Sequence, residues 1–311
     1  MPLLALVTGA VALGSSPILV RMSELEPTAT AFYRVALAAP VFLLSSVPYG
    51  KPPAPSTTRH AGLASLLWLT AAGAFFALDL LCLHWSLRYT SVANATLYLN
   101  SAPFFVALGA WAIFRELPAP RAVLGFVIAI GGVALLVGGV AGDGPHRLLG
   151  DVLGVLAGAA YGGYLLVVGR FRHRIPTSLV MGVTTFSCAL FLLPATLVMG
   201  ENLLPATATA WILLLALALV THAGGQGLLV FAMKYLPAST SSVTLLLQPV
   251  VAACAAWVIF SERLSFWQIV GGCIVLMGIA LCHDAVSRTV TDPAARAGIA
   301  PARVTRPPRW R

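Results

Sequence analysis

Apolar residues fill almost the whole chain in long runs, and short polar segments separate one run from the next. A helix needs ~20 residues to cross a hydrocarbon layer of ~30 Å. Most runs have about this length and end at a charged residue, a proline or a glycine. The pattern predicts transmembrane helices over residues 3–20, 30–48, 62–86, 91–114, 121–140, 150–169, 178–199, 210–233, 237–260 and 267–284.

The composition supports an all-α membrane protein of ten helices. The 311 residues are 59% hydrophobic and only 9% charged, whereas a soluble domain carries roughly 25% charged residues. The net charge is +9, and most charged residues lie in short gaps between apolar runs and in the tail after residue 284. This distribution favours membrane lipids over nucleic acid as partners, because no single basic element would follow a groove.

The basic residues also predict an orientation, since cytoplasmic loops are enriched in Lys and Arg. If the amino terminus is inside, the inner loops hold Lys51, Arg59, Arg115, Arg121, Arg170, Arg172, Arg174 and Lys234. The outer loops then hold Arg21, Arg88, Arg147 and Arg263. Both termini are therefore expected in the cytoplasm. The tail, residues 285–311, is expected to be disordered, either solvated or weakly bound to anionic lipid heads.

One segment of the sequence is repeated later in the chain. When residues 89–136 are placed on 235–282 without a gap, 14 of the 48 pairs are identical. The identities include Tyr, Pro, Trp, Glu and two Gly, which unrelated apolar helices do not share in one register. Because five is an odd number of spans, a duplicated five-span unit has the opposite orientation in the membrane to its copy. Such inverted repeats are typical of secondary transporters.

The doubled pattern resembles the EamA-type transporters of the drug/metabolite transporter (DMT) superfamily. In the first half the similar segments are LRYTSVANA (87–95), PFF (103–105), REL (115–117) and GFVIAIGGV (125–133). In the second half they are MKYLPAST (233–240), QPV (248–250), SERL (261–264) and GGCIVLMGIAL (271–281). The resemblance implies two five-helix repeats, 1–141 and 150–284, and export or exchange of small metabolites, amino acids or drugs across a bacterial inner membrane.

Two prolines match by the repeat and lie near the middle of the fourth and ninth predicted spans. Pro103 and Pro249 each remove a backbone donor and loosen the bond to Leu99 or Leu245, four residues earlier. Loosened backbone at the centre of a transporter can line a cavity or hinge a gate. A tolerated kink is the alternative, since proline is frequent in such helices.

Polar side chains inside spans are costly and are therefore candidates for function. Asn94 and Tyr98 are four residues apart on the fourth predicted span, and Thr244 and Gln248 are four apart on the ninth. Such pairs share a helix face. The two polar stripes are predicted to face each other across a central substrate cavity. Helix–helix hydrogen bonds are the alternative.

Further polar candidates lie on the sixth and eighth predicted spans. His222 and Gln226 are four apart in a glycine-rich stretch, so substrate binding, proton binding and helix packing are all open. Tyr161 is amphipathic and can contact substrate or pack. Gly158 and Gly162 permit close helix contacts. That spacing fits contacts within one chain as well as a homodimer, which stays open.

Few charged residues lie inside the spans. Arg34 follows Phe32 and Tyr33 near the outer start of the second span, and the family's aromatic-Arg pattern there implies a role with anionic groups such as a carboxylate. Snorkelling towards the surface is the alternative. Asp79, on the third span, is a candidate proton carrier for coupling. Its alternative is an ion pair with Arg34 or Arg88.

The absence of common enzyme and ATP-binding motifs from the sequence reduces the number of candidate functions. The sequence contains no HExxH, GxSxG or Cys/His metal spacing, which argues against a membrane enzyme. It also lacks a P-loop, so a gradient rather than ATP is expected to drive it, with no cofactor. With so few basic residues in the spans, a small neutral or zwitterionic solute fits best. A carrier of nucleotide sugars or lipid-linked substrates, or a protein without flux, is the alternative.

Overall fold

The computed structural model describes residues 1–46, 62–90, 92–114, 120–137, 146–171, 174–236, 241, 243–260 and 266–291. All regular structure in these ranges is helical. The first half contains α1 (Pro2–Gly14), α2 (Ser16–Arg21), α3 (Pro27–Ala36), α4 (Ala39–Ser46), α5 (Leu63–Tyr89), α6 (Val92–Leu99), α7 (Ala102–Phe114) and α8 (Pro120–Val137). The second half contains α9 (Arg147–Phe171), α10 (Thr177–Met199), α11 (Ala208–Ala216), a π-helix (Leu217–Gln226), α12 (Gly227–Met233), α13 (Leu247–Phe260) and α14 (Phe266–Thr291).

Six helical stretches in the described ranges are long and apolar enough to cross a membrane. They are Pro2–Arg21, Pro27–Ser45, Leu63–Tyr89, Leu148–Phe171, Thr177–Met199 and Ala208–Met233. Val123–Leu135 and Ile269–Leu281 are shorter apolar helices. Each stretch overlaps a predicted span with ends that agree to within a few residues. The ten-helix count stays a prediction, because parts of the ninth predicted span and several loops lie outside the described residues.

Interruptions divide several of the apolar stretches, and a proline follows most of them. α1 gives way to α2 at Ser15, before Pro17, and α3 gives way to α4 before Pro40. Proline cannot donate a backbone hydrogen bond, so the preceding turn loses one bond of its ladder. The α6–α7 turn at residues 100–101 and the turn at residues 245–246 precede Pro103 and Pro249 in the same way.

The centre of the bundle is built around α5, which packs against α9 and α10. Leu80, Tyr164, Leu165, Val168 and Met181 are among its fully buried side chains. Large apolar side chains on the outward faces remain exposed, as is expected of helices that are surrounded by lipid. The core thus brings α5, which carries Asp79, against the second half of the chain.

Glycines allow α8 and α14 to touch backbone to backbone. A Cβ added at Gly132 would lie 2.8 Å from the Gly271 carbonyl oxygen, and one added at Gly278 would lie 2.6 Å from the Gly125 carbonyl oxygen. The earlier glycine of each helix meets the later glycine of the other, so the two helices run antiparallel. Small residues at such contacts permit the close approach on which helix association in membranes depends.

The end of the chain differs from the sequence prediction. α14 continues to Thr291, beyond the predicted helix end at residue 284. An apolar helix can extend past the hydrocarbon layer, because its internal hydrogen bonds do not depend on the surrounding medium. The rest of the predicted tail, residues 292–311, lies outside the described residues.

The contact between α8 and α14 generates a stability prediction. Gly132→Ala places a methyl group against the backbone of α14, and overpacking costs ~1–3 kcal/mol. Gly131→Ala is the matched control, because a Cβ at the neighbouring Gly131 meets nothing within 4 Å. We expect the melting temperature of the purified protein in detergent to fall for Gly132→Ala and to stay unchanged for Gly131→Ala. Equal melting temperatures would contradict the close contact.

Candidate functional site

Polar side chains from distant parts of the chain line one small cavity in the bundle. These polar lining residues are Ser16, Arg34, Asp79, Tyr161, Gln226 and Gln248, and Phe76 and Leu80 are among the apolar ones. The cavity volume is about 30 Å³. This is enough for water but far below the ~300–1,000 Å³ of a typical ligand pocket.

Arg34 reaches the cavity from α3 and is only 4% exposed. Its Nη1 donates a hydrogen bond of 2.9 Å to Ser16 Oγ. Its buried Nε has no hydrogen-bond partner in the described part of the chain. The guanidinium therefore does not snorkel to the surface in this structure, and one of its donors is left open. A buried donor without a partner costs free energy unless another group accepts its hydrogen bond.

Asp79 faces the same cavity from α5 and is 3% exposed. Its Oδ1 is buried and has no hydrogen-bond partner within the described ranges. A buried charge is stable only when it is paired or hydrogen-bonded. This carboxyl group therefore lacks a hydrogen-bond donor at Oδ1. Arg34 and Asp79 thus bring groups of opposite charge to one cavity, and each keeps an open hydrogen-bonding position.

Tyr161 and Gln226 form a neutral pair at the cavity wall. Tyr161 Oη donates to Gln226 Oε1 at 3.1 Å, and the buried Gln226 Nε2 has no partner among the described residues. Gln226 ends the π-helix, and such segments, with i→i+5 hydrogen bonds, often occur at functional sites. The arrangement leaves an amide donor open near Arg34 and Asp79.

His222 lies behind the cavity wall rather than on it. Its ring stacks on Phe76 with 5.3 Å between the centroids, and Phe42 approaches it edge-on at 6.1 Å. His222 Nε2 and Thr185 Oγ1 are 2.9 Å apart and share a hydrogen bond. Nδ1 is buried without a partner in the described part of the chain. His222 therefore supports Phe76, which itself faces the cavity.

The two predicted polar stripes are not brought together as a symmetric pair. Gln248 lines the cavity, and Thr244 is buried one turn earlier. Tyr98 instead lines a separate, more open groove of about 270 Å³ with Asp151, Val152, Val155 and Leu156. Its side chain packs on Gly154, where an added Cβ would lie 2.8 Å from Tyr98 Cβ. The Asn94 side chain lies outside the described residues.

Both predicted gating prolines are buried next to helix interruptions. Pro103 is the second residue of α7, and Pro249 is the third residue of α13. The breaks before them lie within a few residues of Leu99 and Gln248, which line the cavity. Non-helical backbone in a membrane protein is tolerated where protein or a cavity surrounds it, and these breaks fit that condition.

Sequence reasoning missed three residues that contribute to the site. Ser16 is the partner of Arg34, and Phe76 separates the cavity from His222. Glu201 is bound to the start of α3, which carries Arg34. The sequence signals were slight: a serine beside Pro17, an ordinary phenylalanine in an apolar span, and one acidic residue after a span. None of them shows which helix will be the neighbour.

The two opposed charges generate a double-mutant prediction. Asp79→Asn or Arg34→Gln alone leaves the other charge at the cavity without an opposite charge, and an uncompensated buried charge is costly. We expect the double variant to melt at a higher temperature than either single variant. The melting temperatures of the four proteins in detergent form the test. Strictly additive losses would show that the two charges do not interact.

The comparisons with known proteins agree with this architecture. Residues 1–138 and 148–282 each match the EamA-like transporter family. An uncharacterized transporter of Archaeoglobus fulgidus is 26% identical over 273 residues, which cover 84% of this chain and 89% of the relative. The pseudopaline exporter CntI of Pseudomonas aeruginosa is 27% identical over 235 residues, which cover 74% of this chain and 80% of the exporter.

A crystal structure of another protein shares the fold. Its TM-score is 0.74 at 18% sequence identity, and the match covers 91% of this chain and 96% of that chain. The family matches span nearly all of the described residues and confirm the resemblance seen in the sequence. They also confirm that the chain is not an enzyme. This multi-pass membrane protein therefore belongs to the EamA-like transporter family of the DMT superfamily.

Proposed function

We propose that the chain is a secondary active exporter of the bacterial inner membrane. Its substrates are small neutral or zwitterionic solutes, such as amino acids and related compounds. The observation that carries this proposal is the single cavity into which Arg34, Asp79, Tyr161, Gln226 and Gln248 converge. The named function of the pseudopaline exporter, a relative over most of its length, supports export of a metabolite.

The chemistry of the cavity supports a substrate with both charges. The open Nε donor of Arg34 suits a carboxylate, and the open Oδ1 of Asp79 suits an ammonium group or a proton. The amide of Gln226 offers a further donor. A strongly anionic substrate would need more than one cation at the cavity, and among the lining residues that the structure describes, Arg34 is the only Lys or Arg.

Matched glycine contacts support the ten-helix fold with two inverted repeats. Gly14 of α1 lies against Gln248 and Val251, and a Cβ there would be 2.7 Å from Val251 Cβ. Gly162 of α9 lies against Ala102 and Phe105, which are the residues 146 positions before Gln248 and Val251. The antiparallel contact of α8 with α14 follows the same 146-residue relation. These contacts fit two halves related by a two-fold axis.

Contacts between loops support a topology in which four connecting segments share one face of the membrane. The segment after α2 binds the segment after α10, through Thr207 and Glu24 among others. The end of α5 binds the start of α9, through Ser86 and the Gly150 carbonyl oxygen. The positive-inside pattern assigns all of these segments to the outer face. Both termini then lie in the cytoplasm.

Alternating access accounts for the small size of the cavity. In this structure the lining residues enclose space for water only, so the bundle must open to load a solute and open again to release it. At the helix interruptions before Pro103 and Pro249, fewer backbone hydrogen bonds must break when the helix bends. We propose that these breaks act as hinges, one in each half.

Metabolite release provides the first test. Cells that overexpress the chain are compared with cells that carry Gln248→Ala at equal abundance, and solutes in the medium are quantified. Loss of one proposed hydrogen bond to the solute costs about 1 kcal/mol, so we expect export about fivefold slower in the variant. Thr196→Val is the control, because the Thr196 hydroxyl bonds to Leu192 within its own helix.

The outcomes of this test are distinct. An amino-acid-like solute that rises outside only with the unaltered chain and the control supports the exporter. A labelled solute that instead enters the cells faster contradicts the direction of transport. If no solute in a broad panel moves in either direction, the proposed function fails.

Proton coupling provides a second test. In proteoliposomes, we expect solute movement to accelerate when the receiving compartment is acidified, because protons then flow against the solute. Asp79→Asn removes the only carboxyl group among the described residues that line the cavity, so we expect solute movement in this variant to lose its dependence on the pH gradient. Gln248→Ala should move solute more slowly and keep the dependence. An Asp79→Asn protein that still responds to the gradient would exclude Asp79 as the proton carrier.

A further inference from the structure

Glu201 is a buried carboxyl group outside the proposed cavity, in the segment that follows α10. The residue is only 8% exposed, although it lies in a connecting segment between two apolar helical stretches, where a charged residue is usually solvated. Oε2 accepts a hydrogen bond of 2.6 Å from Ala29 N, and Oε1 accepts one of 3.3 Å from Thr28 N. The two donors belong to α3, 172 and 173 residues earlier in the sequence. Glu201 therefore joins the two halves of the chain.

The bond satisfies a local need of α3. The first backbone N–H groups of a helix have no partner within the helix. Glu26 occupies the N-cap position, and its side chain makes no capping hydrogen bond. Glu201 supplies the missing acceptors from the other half. A carboxylate at this end is also favoured by the helix dipole.

Neighbouring contacts reinforce the same junction. Tyr33 Oη donates to the Leu203 carbonyl oxygen at 2.7 Å, and the Tyr33 ring meets Trp211 edge-on at 5.6 Å. Thr207 Oγ1 donates to Glu24 Oε1 at 2.5 Å. We refer to the contacts of Glu201, Leu203 and Thr207 with residues 24–33 as the outer clasp.

The outer clasp holds the helix that presents Arg34 to the cavity. Arg34 lies two turns after Pro27, the first residue of α3. The same helix start is tied to α5, since the Pro27 carbonyl oxygen and His84 Nδ1 are 3.0 Å apart and Trp85 Nε1 donates to Thr28 Oγ1 at 3.0 Å. Leu83, next to His84, lines the cavity. The clasp and the cavity therefore share one end of α3 and α5.

We infer that Glu201 is a positioning residue for Arg34, and that the outer clasp keeps the cavity closed towards the outer face. The inference rests on the proposed transport function. When the solute leaves outward, the start of α3 must separate from the other half, and the two bonds of Glu201 are among those that break. Export then depends on a residue that does not touch the solute.

Thiol labelling tests this inference without any substrate. Leu83→Cys places a reporter at the cavity wall, and a membrane-impermeant maleimide is added to intact cells. The protein without Leu83→Cys gives the background of the native cysteines. Losing a capping carboxylate costs ~1–2 kcal/mol, so we expect Glu201→Ala to raise the labelling rate of Leu83→Cys about tenfold.

Two further variants and one control make the test specific. Glu201→Gln keeps one oxygen acceptor, so its labelling rate should lie between those of Glu201→Ala and the parent. Tyr33→Phe removes the bond to Leu203 and should also label faster than the parent. Glu26→Ala removes the neighbouring carboxylate that makes no capping bond, and it should label like the parent. All rates are compared at equal amounts of folded protein, checked by melting temperature.

The outcomes separate the clasp from the proposed function. If Glu201→Gln and Tyr33→Phe label at the parental rate, the clasp inference is overturned, even if Glu201→Ala does not fold. If Glu26→Ala labels as fast as Glu201→Ala, a general charge effect replaces the clasp. Faster labelling in inside-out vesicles alone would contradict the outer position. Faster labelling in cells supports the clasp whether or not a transported solute has been found, so the two hypotheses fail independently.

Discussion

The absence of water around the bundle is the constraint on which the rest of the structure depends. In lipid, every backbone N–H and C=O must find a partner inside the protein, and a continuous helix is the simplest solution. The helices of this protein are interrupted at Ser15, at residues 100–101 and at residues 245–246, and the π-helix ends at Gln226. Ser16, Leu99, Gln226 and Gln248 all line the cavity. These interruptions thus lie where protein encloses polar groups, whereas the break between α3 and α4 lies apart from the cavity.

The same constraint makes the unpartnered polar groups of the cavity energetically costly. Arg34 and Asp79 are buried with open hydrogen-bonding positions, and an apolar surrounding makes each open position expensive. In the proposed function, a bound solute completes these positions. Because the cavity is small, the proposed binding of a solute requires movement of the helices around it. Outside the cavity, the start of α3 is held by Glu201, so the position of Arg34 depends on contacts between the two halves.

Close glycine contacts explain how the two halves form one bundle. Gly132 and Gly278 bring α8 and α14 into backbone contact, while Gly14 and Gly162 admit the helices that contain Gln248 and Ala102. Without a hydrophobic driving force between helices in lipid, association depends on such packing. The junction at the outer clasp is different, because a few hydrogen bonds at the loop ends hold it.

The sequence by itself determined the class of the protein, the approximate spans and the family. Length and apolarity of a run decide whether a helix can cross a membrane, and both are local properties. It also marked Arg34, Asp79, Gln226 and Gln248, because polar residues in apolar runs are conspicuous. The tertiary structure decided which candidates meet. It placed Tyr98 in another groove, set His222 behind Phe76, and brought Glu201 to α3. Helices that are apolar on every side carry little information about which face meets which neighbour, so only packing settles those contacts.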